Sequence, residues 1–294
     1  MAGKDGLPKP FLKWAGGKAQ ILSELLNRLP PNFNDYHEPF LGGGALFFAL
    51  ARDGRLAGKK VFLSDSNPEL VNVFLVVRDN PHELLELLRK YQNKNTKEEY
   101  YGIRTERPRS PIRRAARLIY LNRTCYNGLY RVNSEGEFNV PFGRYKNPKI
   151  YDPENILAAS EALKDTEILC EDFEAVLSRA KPRDFVYFDP PYYPLSPTAN
   201  FSDYTSNGFS EEDHIRLAHA FAALAEKGVL VMESNSDTRF VREHYEAWRI
   251  ARIKAMRSIN SKGDRRGPVG ELIIMSYIRR RRDARHKNRK PIQE

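Results

Sequence analysis

The chain has 294 residues, and its 41% hydrophobic and 11% aromatic content is enough for a packed core, which excludes wholesale disorder. Its net charge of +10 is concentrated in two places: residues 104–149 hold eleven Lys/Arg against three acids, and residues 279–294 hold eight against two. No apolar run reaches membrane-spanning length, and the two cysteines, Cys125 and Cys170, form no CxxC pair, which argues against a zinc or disulfide framework.

In chain order, KAQILSELLNRL (18–29) repeats apolar residues at helical spacing. The stretch DYHEPFLGGGALFFALA reads as a short strand, a glycine turn and a buried helix, and KKVFLSD (59–65) as another strand ending in an acid. Residues 68–119 look mostly helical, with PHELLELLRKYQ the clearest case. From 120 to 149 the text becomes rich in Asn, Gly, Arg and Tyr, with a hairpin expected around NSEGE. Strands and helices then alternate: TEILC, EDFEAVLSRA, DFVYFD, SEEDHIRLAHAFAAL and KGVLVMES. WRIARIKAM and GELIIMSYI complete the chain as an antiparallel pair. Such alternation predicts an α/β protein with a doubly wound, mostly parallel sheet. Residues 1–65 and 151–294 are expected to form that domain, and residues 66–150 an inserted, mainly helical second domain carrying the hairpin.

The two basic stretches differ in what they imply. A charged terminus such as RRRRDARHKNRKPIQE is ordinarily a solvated tail, whereas a basic middle segment points to a polyanion partner, here nucleic acid. The opening MAGKDGLPKP lacks the apolar stretch of a secretion signal, so a cytoplasmic protein is expected.

Glycines 42–44 follow a strand and open a helix, where a ligand can approach the backbone closely. The GxGxxG dinucleotide fingerprint fails, because Phe47 stands where its last glycine would be. The phosphate-loop pattern at WAGGK fails too, with Leu12 in place of its first glycine and Ala19 after Lys18. Asp65 lies about 20 residues past the glycines, the place of a carboxylate that bonds a ribose hydroxyl. The same residue, in SDSNPE, could equally cap the next helix. An adenosine-containing ligand without a pyrophosphate is the reading these features support.

At 188–194 the sequence is FDPPYYP. Each proline fixes its own φ, offers no N–H, and holds the residue before it extended. Asp189 is therefore presented on a stiff strand end beside uncommitted carbonyls and the rings of Tyr192 and Tyr193. Taken alone, this is also what an ordinary proline turn looks like.

FLKWAGGK (11–18), EPFLGGG (38–44), LNRTCYNGLYRVNSEGEFNVPFGRYK (121–146), DPPY (189–192) and TANF (198–201) together resemble the Dam-type DNA adenine-N6 methyltransferases, in that family's order and over nearly the whole chain. DPPY alone is shared with other amino-methyltransferases; the longer stretches are far more specific. The resemblance implies S-adenosylmethionine as cofactor and a Rossmann-like methyltransferase sheet. It implies that Trp14, Lys18 and Phe40 line the cofactor site, that Glu38 and the Gly42–Gly44 turn face the methionine moiety, and that Asp65 holds the ribose. Asp172 and Phe173 would contact the adenine ring, although an acid that begins a helix is often only a dipole partner. Asp189, Pro190, Pro191 and Tyr192 would carry catalysis, with Asp189 also against the cofactor. Lys13, Tyr126, Asn127, Arg131, Pro141, Arg144 and Tyr145 would meet double-stranded DNA, with the adenine of GATC as target. A monomeric bacterial or phage enzyme, serving replication or restriction–modification, is expected. Thr124 and Cys125 depart from the residues usual before the YNG stretch, and the arginine-rich tail is extra to the family core.

The DPPY chemistry follows from the substrate. An adenine amino group is a poor nucleophile because its lone pair is delocalised into the ring. Accepting its two N–H groups, one on the Asp189 carboxylate and one on the Pro190 carbonyl, localises that pair and stabilises the charge that grows on nitrogen. The base must leave the duplex to reach them. No metal is required, and the six histidines show no ligand spacing; His214 and His219 are expected at the surface. A base deaminase would need HxE and PCxxC, which are missing. RNA adenine or protein glutamine as substrate, or a non-catalytic DNA-binding protein, are the remaining alternatives.

Overall fold

The computed structural model describes residues 6–14, 21–195, 209–256 and 268–277. Lys18, the TANF stretch and the basic tail lie outside the described residues.

The first half of the sheet domain is α1 (Leu22–Arg28), β1 (Tyr36–Glu38), α2 (Ala45–Arg52) and β2 (Val61–Asp65). Four helices follow: α3 (Pro68–Asp79), α4 (Pro81–Tyr91), α5 (Lys97–Thr105) and α6 (Pro111–Thr124). Prolines at the first turn of α3, α4 and α6 suit a position whose N–H would be unpaired in any case. Thr96 and Glu99 close a capping box on α5. α3 packs both on β2 and β3 (Thr166–Cys170) and on α6, so it joins the sheet to the helical segment. α4 and α5 pack on α6 in turn.

The remaining elements are α7 (Pro153–Leu163), which precedes β3, then α8 (Val176–Arg179), β4 (Phe185–Phe188), α9 (Glu211–Glu226), β5 (Leu230–Ser236), α10 (Arg239–His244), β6 (Arg249–Met256) and β7 (Pro268–Met275). The seven strands lie in the order β3-β2-β1-β4-β5-β7-β6. β1 to β5 are mutually parallel, and β7 runs antiparallel to both β5 and β6, so the pair expected at the chain's end is present. Central strands of such a sheet are buried on both faces and lose the polar alternation. In β4, Phe185 and Tyr187 enter one hydrophobic cluster while Val186 and Phe188 enter the other. Ile273 and Met275 divide from Leu272 and Ile274 in the same way on β7.

The strand order reverses between β1 and β4, since β2 and β3 build outward on one side and β5 on the other. The crevice at the carboxyl ends of strands beside such a switch point is where open α/β sheets bind ligands. Glu38 ends β1, Asp65 ends β2, and Asp189 follows β4, so all three acids reach this crevice.

Three local expectations change. EDFEAVLSRA is not one helix: the Asp172 side chain caps a single tight turn, Phe173–Ala175, before the four-residue α8. The hairpin around NSEGE is held by one isolated bridge, Val132 to Phe138, and by the Asn133 side chain accepting from the N–H groups of Glu135 and Glu137. His214 is buried rather than at the surface, with Phe209 and Tyr193 edge-on to its ring; His219 on the same helix is exposed.

Candidate active site

The loop after β4 is fastened to the end of β5 residue by residue. Ser234 donates to the Asp189 carboxylate at 2.9 Å and shares a 2.8 Å hydrogen bond with the Tyr187 hydroxyl. Asn235 accepts from the Tyr193 N–H at 3.1 Å, and Ser236 donates to the Tyr193 carbonyl at 2.6 Å. The amide of Asn235 is itself oriented, because its NH₂ donates to buried Glu233 at 3.0 Å, leaving the oxygen for Tyr193. Tyr245 donates the second hydrogen bond to Glu233, at 2.6 Å. Tyr192 is anchored at its hydroxyl, 3.1 Å from a Glu271 carboxylate oxygen. Tyr193 stacks on Phe240 at 4.1 Å. Pro190 is buried and Pro191 exposed. The stiffness expected of FDPPYYP is thus doubled by polar side chains of β5 and β7 that the sequence reading did not single out.

The carboxyls behind this loop are unusual. Burial pushes the Glu38 carboxyl up to about 8, against a hydrogen bond from Tyr36 at 2.8 Å, and the nearby Asp189 charge raises it further. Burial likewise lifts Glu233 to about 7, with Asp189 again adding. Both stay protonated in the fold at pH values where an unfolded chain has released those protons. Between about 4.5 and 7–8 the native state therefore binds more protons, and the free energy of unfolding falls as pH rises, by up to about 1.4 kcal/mol per unit per group. Glu233→Gln, which mimics the protonated form, should flatten the fall in melting temperature between pH 5 and pH 8. Parallel wild-type and variant profiles would show that Glu233 carries no such proton.

On the other side of the switch point, Asp65 accepts the Gly42 N–H at 3.0 Å on one oxygen and the Asn67 N–H at 3.0 Å on the other. The helix-capping alternative for Asp65 fails: Asn67 is the N-cap of α3, accepting from Glu69 and Leu70. Gly42 and Gly44 take φ of 48° and 67°, and a Cβ on Gly42 would lie 3.0 Å from the Trp14 ring. Trp14 thus lies against the glycine turn, and Tyr130 stacks on it at 5.2 Å.

Beyond β1 and β3 lies a cavity of about 200 Å³ whose walls include Phe40, Phe173, Asp172 and Phe209. Phe40 and Phe173 are stacked at 5.4 Å, with Phe209 edge-on to Phe40 at 5.6 Å. Arg216 lies over Phe173 at 5.0 Å and pairs with Asp172, Glu174 and Asp213 at 3.0, 2.7 and 2.8 Å. Aromatic rings edged by the carboxylates of Glu171, Asp172 and Asp213 suit a flat heteroaromatic ring with N–H donors.

The residues expected to meet DNA gather on one loop system. Tyr126 (47% exposed) and Asn127, in a left-handed conformation, sit at its tip. The Tyr126 N–H donates to the Pro141 carbonyl at 2.8 Å. Arg131 is held by Asn139 at 2.7 Å through Nε, and Arg144 is exposed. Lys13 joins them from far away in sequence: buried Asn122 accepts its N–H at 2.8 Å, donates to its carbonyl at 2.7 Å, and donates to Gly128 at 2.9 Å. The Lys13 ammonium then rests 4.4 Å from the centre of the Tyr145 ring, its pKa lowered by burial and by Arg123. Among the described residues no cluster of three or more His, Cys, Asp or Glu could hold a metal ion, and no helix is long and apolar enough to cross a membrane.

Three known proteins match this chain over about nine-tenths of its length. A Type II methyltransferase of Lactococcus lactis subsp. cremoris is 45% identical over 277 residues, covering 92% of this chain and 95% of its own. A Type II methyltransferase of Methanocaldococcus jannaschii is 44% identical over 288 residues, covering 92% and 99%. The DNA adenine methylase of Escherichia coli is 38% identical over 272 residues, covering 91% and 95%. The family model of the D12 class N6 adenine-specific DNA methyltransferases matches residues 14–259, a span that takes in the glycine turn, the basic loop system and the DPPY loop. The chain belongs to this family, and is an adenine-specific DNA methyltransferase.

Proposed function

We propose that the enzyme methylates N6 of an adenine turned out of duplex DNA at GATC, with S-adenosylmethionine as donor. The observation that carries this reading is the Asp189 carboxylate, held by Ser234 at the mouth of the crevice between β1 and β4. The residues present fit the donor. The cavity walled by Phe40, Phe173 and Phe209 suits an adenine ring, with Asp172 at its edge. Asp65 already accepts two main-chain N–H groups, but a carboxylate has about four acceptor positions, so a ribose hydroxyl can share it. Glu38 would face the methionine end, where a cationic group favours its ionised form. The donor supplies a methyl group activated on a sulfonium.

The protein's own part is positional and electrostatic. Asp189 and the Pro190 carbonyl accept the two amino hydrogens of the target adenine, localising the nitrogen lone pair towards the methyl group. Ser234 and the prolines fix these acceptors before the base arrives, so little reorganisation accompanies reaction. Tyr192, anchored on Glu271, offers its ring for the flipped base to stack on. Residues 66–150 serve as the recognition unit, with α3 common to it and to the sheet. From it Arg131 and Arg144, joined by Lys13 of the N-terminal stretch, approach guanines, and Tyr126 or Asn127 fills the gap left by the flipped base.

Asp65→Ala removes both the ribose acceptor and the clamp on the glycine turn, so cofactor affinity should fall by at least the 1.5–3 kcal/mol or so of one charged hydrogen bond. Calorimetric titration with S-adenosylhomocysteine measures it; unchanged affinity would remove Asp65 from the cofactor site. For the function itself, a random duplex library is methylated and its modified positions sequenced. Adenine within GATC is the expected product, and modification at unrelated sequences would replace the specificity proposed here.

A further inference from the structure

We propose that Glu38 is the residue by which the cofactor site tells the methyl donor from its demethylated product, giving up a proton as the donor binds and regaining one once the methyl group has left. The inference rests on the function proposed above. Glu38 ends β1 at the switch point and is only 2% exposed. Few groups face it. From its own strand the Tyr36 hydroxyl donates at 2.8 Å. From the first turn of α2 the Phe47 N–H donates, one of those that a helix start leaves unpaired. From β4 come Tyr187 and, just past the strand, the Asp189 carboxylate. On β2 its neighbour in register is the apolar Leu63. No lysine or arginine among the described residues pairs with it.

A buried carboxylate without a cation is costly, and a second carboxylate beside it makes ionisation costlier still. Burial accordingly pushes Glu38 up to about 8, with the Asp189 charge adding to it. A ligand that brings positive charge into the crevice favours the ionised form and expels the proton. Donor and product share an ammonium group, but only the donor carries the sulfonium, so the donor draws Glu38 further towards ionisation. The proton balance closes. Glu38 sends its proton to solvent as the donor enters. In the transfer the sulfur–methyl bond breaks, its electron pair staying on sulfur, while the bond from N6 to methyl forms and N6 then loses a proton. With the sulfonium gone Glu38 takes one proton back, and one proton is released per cycle. Once neutral, Glu38 holds the product less tightly, which favours exchange for the next donor.

The full chain is titrated calorimetrically near pH 7 with S-adenosylmethionine and, separately, with S-adenosylhomocysteine. Each titration is repeated in two buffers of different ionisation enthalpy, so that the difference in heat counts protons. In the wild type the donor should release about one proton and the product less than about half of one. Glu38→Gln keeps an acceptor for Tyr36 but has no proton to give, so the excess released by the donor should vanish. Its donor affinity should fall about tenfold or more while product affinity stays within about threefold, a factor of ten being one pKa unit. Equal proton counts for the two ligands in the wild type overturn the proposal. So does a difference that survives in Glu38→Gln, which assigns the proton to another group, and so does an equal loss of both affinities. Should the variant fail to fold, the wild-type counts decide alone. A wild type that binds neither ligand overturns the proposed function and this inference with it, a result the same titrations distinguish.

Discussion

Asp189→Ala should abolish methyl transfer, with a rate loss of at least the 10²–10³-fold or so that accompanies removal of one preorganised electrostatic group. Duplex binding and the melting temperature should be little changed. The fold tolerates the change because Ser234, the buried partner of Asp189, keeps its second hydrogen bond to Tyr187. Asn235 and Ser236 continue to hold the loop through the Tyr193 main chain. What is lost is the acceptor for one amino hydrogen, and with it the localisation of the adenine lone pair. Asp189→Asn retains a carbonyl acceptor without the charge and should fall between the two. Single-turnover rates with the duplex bound separate this chemical loss from any loss of binding. Rates within a few-fold of wild type in Asp189→Ala would show that the carboxylate does not act on the transition state.

The second large effect concerns which DNA is chosen. Arginine to guanine O6 and N7 is the commonest specific base contact, and each such pair discriminates by about 1–3 kcal/mol. Arg131 is the arginine best prepared for it, since Asn139 fixes its guanidinium at Nε and the hairpin bridge between Val132 and Phe138 fixes the backbone beside it. Arg131→Ala should therefore slow methylation of GATC far more than methylation of sites altered at the outer guanine or cytosine. The ratio of kcat/KM values should narrow by roughly 5- to 150-fold, the equivalent of that 1–3 kcal/mol. Uniform slowing at every site would assign Arg131 to phosphate, because phosphate contacts carry no sequence information.

Much of the frame is legible in the chain. Val186, Tyr187 and Phe188 read as a strand because a central parallel strand is apolar on both faces, and the glycines after β1 mark a turn that needs positive φ at Gly42 and Gly44. The parts that escape are those decided by distant partners. Nothing near Asn122 announces that its amide will close on residue 13, and the polar end of β5, Ser234 to Ser236, reads as a strand running out. His214 has helical neighbours of both kinds; it is buried because Tyr193, Phe209 and Phe240 meet it from other elements. The caps divide in the same way: both Asp65 and Asn67 are acceptable before α3, and only the turn two residues apart makes Asn67 the cap and frees Asp65 for Gly42.

The most direct measurement of the central claim is the nucleoside product itself. A duplex with one GATC, and a control duplex lacking it, are incubated with methyl-deuterated S-adenosylmethionine, digested to nucleosides and analysed by mass spectrometry. The account predicts labelled N6-methyladenine from the GATC duplex and none with Asp189→Ala; label on cytosine, or equal labelling of the two duplexes, would contradict it.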